Sequence, residues 1–75
     1  METLKLNLIT PAEYVVARAQ VFPSEESFRW FERANRAELV DCGAVLKPTG
    51  RKLIDPTACD AAVMRIGKRL AAPRV

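Results

Sequence analysis

Twice in this chain a proline directly follows a residue able to cap a helix, at Thr10-Pro11 and at Asp55-Pro56. Proline presets the helical φ and has no N–H to leave unbonded, so each pair marks a helix start. A third start is Ser24-Glu25-Glu26. There a capping serine precedes two acids at the positive end of the helix dipole. Pro23 disfavours helix at Phe22, so Gln20-Val21-Phe22-Pro23 reads as a turn. These marks predict a first helix from Pro11 to about Ala19, with Glu13 completing a capping box on Thr10. Tyr14 and Ala17, widened by Val15 or Val16, form its inward face, while Glu13 and Arg18 look outward. The second helix reaches about Arg36 or Ala37 and turns Phe28 and Phe31 inward, with Ala34 or Asn35 a turn later. Its other faces carry Glu26, Ser27, Arg29, Trp30 and Arg33. The third begins at Pro56, with Cys59, Ala62 or Val63, Ile66 and Leu70 inward. Gly67 weakens it by about 1 kcal/mol, and residues 68–75 read as a frayed basic tail.

Between the helices lie extended segments. Leu4-Lys5-Leu6-Asn7-Leu8 alternates apolar and polar, the pattern of a short strand. Two apolar runs, Gly43–Leu46 and Leu53-Ile54, flank Lys47-Pro48-Thr49-Gly50, whose proline and glycine suit a turn. This predicts a β-hairpin with Lys47, Arg51 and Lys52 at or beside its tip. Helix, turn, helix, basic hairpin, helix is the order of a winged helix-turn-helix. The expected fold class is α+β, mainly helical, in one domain over residues 1–75, with a short N-terminal strand, a two-stranded wing and a C-terminal helix.

Charge is distributed unevenly. The 75 residues carry 12 basic and 9 acidic side chains, a net of +3. Residues 1–46 hold a net of −2 and residues 47–75 a net of +5. A basic half on a small domain points to a polyanionic partner. No histidine is present, and Cys42 and Cys59 are the only thiols. They cannot make a tetrahedral zinc site without carboxylates, and they read as small buried or half-buried residues. Nor is there a glycine-rich phosphate loop, or a nucleophile beside an evident base. The expectation is therefore no enzyme, no cofactor and no metal. No apolar run is long enough to span a bilayer, and the first residues lack the pattern of a signal peptide. The expected setting is the cytoplasm, without a membrane partner.

Leu8-Ile9-Thr10-Pro11-Ala12-Glu13-Tyr14, followed by Pro23-Ser24-Glu25-Glu26-Ser27-Phe28-Arg29-Trp30-Phe31, resembles the small phage excisionases of the lambda type. Ser27–Arg33 also resembles the opening of the related MerR-type winged helices. Gly50–Pro56 fits the end of the wing and the next helix start in both groups. Small terminase subunits of phages share this pattern. Of these relatives, the excisionases are about this short. The resemblance implies a DNA-binding and DNA-bending accessory factor that directs site-specific recombination of a prophage or mobile element. Double-stranded DNA, a phage integrase and further copies of the chain on DNA are the implied partners, and repression of a nearby promoter is a further implied role.

Carried over by position, the DNA-facing residues are Glu26, Ser27 and Arg29 on the second helix, with Arg33 on phosphate one turn later. Lys47, Thr49, Arg51 and Lys52 act from the wing. Arginine grips guanine with two hydrogen bonds and glutamate accepts from cytosine, while Ser24, Ser27 and the helix-start amides suit phosphate. The excisionases place a second arginine where this chain has Trp30. A tryptophan cannot replace a bidentate base contact, which leaves it to sugar or thymine methyl, to packing, or to a partner surface. With Glu25, Glu26 and Glu32 also on this helix, other readings stay open: a phage-borne module that keeps the fold but engages a protein, as an inhibitor or anti-regulator, or a small transcription regulator using the same fold.

Overall fold

Reciprocal hydrogen bonds at the helix starts organise the chain. The computed structural model describes residues 7–73. They form α1 (Pro11–Ala17), α2 (Glu25–Ala34), α3 (Arg36–Asp41), β1 (Val45–Leu46), β2 (Leu53–Ile54) and α4 (Pro56–Ala71). At α1 the Glu13 N–H donates to Thr10 Oγ1 at 3.1 Å, and Glu13 Oε1 accepts from the Thr10 N–H at 3.0 Å. That backbone bond holds the Glu13 carboxyl below its usual range. Ser24 and Ser27 cap α2 in the same reciprocal way. The Asp55 carboxylate accepts from the N–H groups of Thr57 and Ala58 at the head of α4.

Several boundaries differ from expectation. α1 ends at Ala17, and Val16 and Ala17 face solvent while Tyr14 and Val15 are buried. The chain folds back at once, with the Phe22 N–H donating to the Arg18 carbonyl at 2.9 Å. That turn carries Phe22 into the core. α2 stops at Ala34, because Asn35 bonds back to the Phe31 carbonyl through its side-chain amide at 3.0 Å. A separate short helix, α3, follows and buries Leu39. α4 continues through Gly67 to Ala71, so residues 68–71 are helical rather than frayed. Ile66 is its last buried residue; the helix outruns the core, which leaves Leu70 exposed rather than inward.

Mainly helical α+β architecture is observed, with one two-stranded antiparallel sheet. Val45 faces Ile54 and Leu46 faces Leu53. Leu4, Lys5 and Leu6 of the expected N-terminal strand lie outside the described residues, as do Arg74 and Val75. Asn7 and Leu8 are not in a strand. Ile9 alone forms an antiparallel bridge, to Ile54, because the helix start at Thr10-Pro11 ends the extended backbone one residue later. The sheet therefore places β2 between Ile9 and β1.

The core is an aromatic cluster closed by aliphatic side chains. Phe22 and Phe28 meet edge to face at 5.1 Å, Tyr14 lies 5.6 Å from Phe28, and Phe31 lies 5.2 Å from Phe22. Leu39, Ala44, Ile54, Cys59, Ala62 and Ile66 complete it. Cys59 is a buried free thiol, which burial pushes above its ordinary pKa, and Cys42 is a free exposed one. Arg18, expected to look outward, turns onto α4. It donates to Asp60 from Nε at 2.8 Å and from Nη2 at 2.6 Å, and the Tyr14 hydroxyl donates to the same carboxylate at 2.7 Å. The Arg18 bonds hold Asp60 below the usual carboxylate range, with the Tyr14 bond adding to them. Burial, then the bond to Asp60, pushes the Tyr14 phenol up. Among the described residues no helix is long and apolar enough to cross a membrane.

Two outcomes test this core. Phe28→Ala is expected to lower unfolding free energy by about 3–5 kcal/mol, read from urea titration. Asp60 has a depressed folded pKa, so its contribution is present above its unfolded pKa of about 4 and is lost as pH falls through the folded value. Asp60→Asn is expected to be less stable than the parent at neutral pH and to lose less stability on acidification, with Glu38 and Glu13 supplying remaining acid dependence.

Candidate nucleic-acid interface

With Phe28 and Phe31 turned inward, helical spacing sends Glu25, Glu26, Arg29, Trp30 and Arg33 outward, and all five are exposed. Arg29 reaches Glu25 one turn earlier at 3.7 Å. Both side chains are well exposed, so the pair is worth less than about 1 kcal/mol and leaves Arg29 free to exchange partners. The Arg33 guanidinium lies 5.2 Å over the Trp30 ring. That contact gives the exposed indole a cationic cover. Ser24 and Ser27 are engaged by the cap itself. Ser27 Oγ accepts from the Ser24 N–H at 3.3 Å and donates to the Ser24 carbonyl at 2.7 Å.

The hairpin brings the second set of cations. Its loop, residues 47–52, contains a turn closed by the Gly50 N–H donating to the Lys47 carbonyl at 3.3 Å. Gly50 has φ +85°, the left-handed conformation that glycine adopts without strain. Lys47, Thr49 and Arg51 are exposed. Lys52 is held instead: its Nζ lies 2.7 Å from Glu32 Oε2 and 3.0 Å from Oε1. Glu32 is 4% exposed, the one buried charged residue among those described. The sequence placed it on the second helix without marking it as buried. Its burial gives Lys52 a structural partner on α2.

This ion pair separates two grooves. One is lined by Arg29, Lys52, Glu25 and Glu32 together with Thr10 and Pro11. The other, about 370 Å³, is lined by Arg36, Val40, Val45, Leu46, Lys47 and Lys52 around Glu32. Arg33 stands with Glu26, Arg29 and Trp30 in a shallow dent of α2. Arg29 thus joins the dent to the first groove, and Lys52 joins the first groove to the second. Arg51 and Thr49 line none of them and stay at the hairpin tip. Arg36 was not among the expected site residues. Its signal was the spacing Glu32-Arg36-Val40, one residue per helical turn, which the break at Asn35 does not disrupt.

Elsewhere two arginines of α4 are neutralised. Glu38 on α3 binds Arg65 at 2.9 Å and Arg69 at 2.7 Å, and those bonds, Arg69 first, hold its carboxyl down. Arg69 is therefore part of the packing of α4 on α3, not of a loose tail. Among the described residues, Arg33, Arg36, Lys47, Arg51 and Lys68 pair with no acid. Also among the described residues, no three histidine, cysteine or acidic side chains gather in a way that suits a metal ion.

If the Glu32–Lys52 pair docks the hairpin, Lys52→Met strands a buried carboxylate and is expected to cost about 1–3 kcal/mol in chemical unfolding. Adding Glu32→Gln is expected to recover part of that loss, a non-additivity read from the four-member mutant cycle.

No known family, curated protein or solved structure matches the chain.

Proposed function

We propose that this chain is a small winged-helix protein that binds and bends double-stranded DNA. It acts as an excisionase-like accessory factor in site-specific recombination of a prophage or mobile element. On this reading it has no catalytic role of its own. What carries the reading is the joint lining of one groove by Arg29 of α2 and Lys52 of the hairpin, with Lys47 and Arg36 in the adjoining groove. A helix is about 10–12 Å across and fits the major groove, while a hairpin is thin enough to follow the flanking phosphates. The arrangement of Ile9, β2 and β1 beside the helices is compatible with the wing of that fold.

In this role Arg29 releases Glu25 and reads a guanine edge, and Glu26 accepts from cytosine. Arg33 takes a phosphate beside Trp30, while Ser24 and Ser27 hold the helix start in shape for a phosphate contact. Lys47, Thr49 and Arg51 grip the flanking backbone and release counterions. Lys52 contributes mainly by fixing the wing. Cooperative binding of neighbouring copies, contact with a phage integrase, repression of a nearby promoter and a cytoplasmic setting belong to the same proposal.

One observation favours a second reading. Trp30 is 62% exposed beside Glu26, a surface suited to a protein partner as much as to phosphate. On that reading the chain is an interaction module that inhibits or displaces a regulator.

Mobility-shift titration with a mixed pool of genomic duplex fragments separates them. DNA binding predicts affinity that falls steeply between about 50 and 200 mM salt. Lys47→Ala with Arg51→Ala is expected to weaken binding on every sequence and to reduce the salt slope by about two. No retardation at low salt, or retardation indifferent to salt, would contradict the DNA reading.

A further inference from the structure

The hydrogen-bond register of the hairpin leaves one backbone position unused. The Asp55 N–H donates to the Ala44 carbonyl at 3.0 Å. With Val45 opposite Ile54 and Leu46 opposite Leu53, the alternation of an antiparallel ladder makes Ala44–Asp55 and Leu46–Leu53 the bonded positions. The N–H and C=O of Val45 and Ile54 then point away from each other. Ile54 uses both on Ile9, at 2.7 and 2.9 Å. Val45 has no such neighbour, and no described group bonds its N–H or C=O. Among the described residues nothing pairs with the outer edge of β1 at Val45, which is 8% exposed.

That edge borders the larger groove. Val40, 53% exposed, and half-buried Leu46 supply apolar wall, and Arg36 and Lys47 stand over it with no acid partner. The only acid there, Glu32, is matched by Lys52. The groove is therefore apolar along its walls, positive at its rim and furnished with one free backbone donor and one free acceptor.

We propose that this groove receives a short extended acidic segment of a partner protein, which adds as a strand to the edge of β1. The segment would exchange two backbone hydrogen bonds with Val45. Its alternate side chains would fall towards Val40 and Leu46, and the carboxylates between them towards Arg36 and Lys47. Pro48 ends the edge, so few residues of the segment can pair. Phosphates of a duplex would satisfy the two cations but leave the strand edge and the apolar wall without partners. The proposal goes beyond DNA binding; because both use Lys47 and Arg36, duplex and segment would compete for this groove.

The test uses the isotopically labelled full chain and an acetylated, amidated hexapeptide of alternating glutamate and valine. Amide hydrogen exchange at Val45 is expected to slow as the peptide is added, with saturable shifts at Arg36, Val40 and Lys47. Arg36→Gln is expected to weaken binding about fivefold, the effect of one exposed charge pair, with an unchanged melting temperature. A lysine–valine peptide of the same length should leave Val45 unchanged. Unaltered Val45 exchange with the acidic peptide would overturn the proposal, as would equal binding of the lysine–valine peptide. Protection of Val45 by duplex DNA and not by the peptide would assign the groove to nucleic acid and overturn it as well.

Discussion

A carboxylate at 4% exposure needs a cation, and Glu32 finds it only on the hairpin. Leaving such a charge unpaired is far costlier than breaking an exposed pair, so the hairpin cannot swing away from α2 without a large penalty. With the burial of Val45 and Ile54 and the bridge from Ile9, this pair fixes where the hairpin sits, and both of its residues line the two grooves beside it. It also fixes what Lys52 can do. A lysine committed to a buried acid positions the surface more than it supplies charge to it.

The remaining ion pairs decide where positive charge stays available. Arg65 and Arg69 are neutralised by Glu38, so two of the basic residues of the last 29 are used to pack α4 on α3, while Arg18 from the first half ties down Asp60. What is left near the hairpin and the outer face of α2 is Arg33, Arg36, Lys47 and Arg51. The acids of α2 do not cancel this set evenly: Glu32 is buried, Glu25 is lightly held by Arg29, and Glu26 alone on that helix is exposed and unpaired among the described residues. The negative net charge of the first 46 residues is thus a poor guide to the field that a ligand meets.

Local rules were legible in the sequence. Thr10, Ser24 and Asp55 each cap a helix because the cap needs only a side-chain oxygen and a few neighbouring residues. The hairpin was legible from Pro48 and Gly50 between apolar runs. What was not legible depends on partners far along the chain. Arg18 looks like a solvent residue until α4 brings Asp60 beside it, 42 positions away. Glu32 and Lys52, 20 positions apart, carry no mark of pairing in their own segments. Helical periodicity also assumes that a core exists along the whole helix, and it fails for Leu70 where α4 outruns the core. Among the candidate site residues, Arg29, Trp30, Arg33, Lys47, Thr49 and Arg51 stand exposed as expected. Ser24, Ser27 and Lys52 are engaged in holding the structure, and Arg36 joins the site one turn beyond Glu32.

The most direct measurement is a residue-by-residue map of backbone amide shifts as the labelled chain is titrated with duplex DNA. A hairpin docked by Glu32–Lys52 into one DNA-binding surface with α2, as proposed, predicts concerted changes at Glu25 to Arg33 and at Lys47 to Lys52, with Met64 and Leu70 silent. Changes confined to α1 and α4, or no change at any duplex concentration, would contradict it.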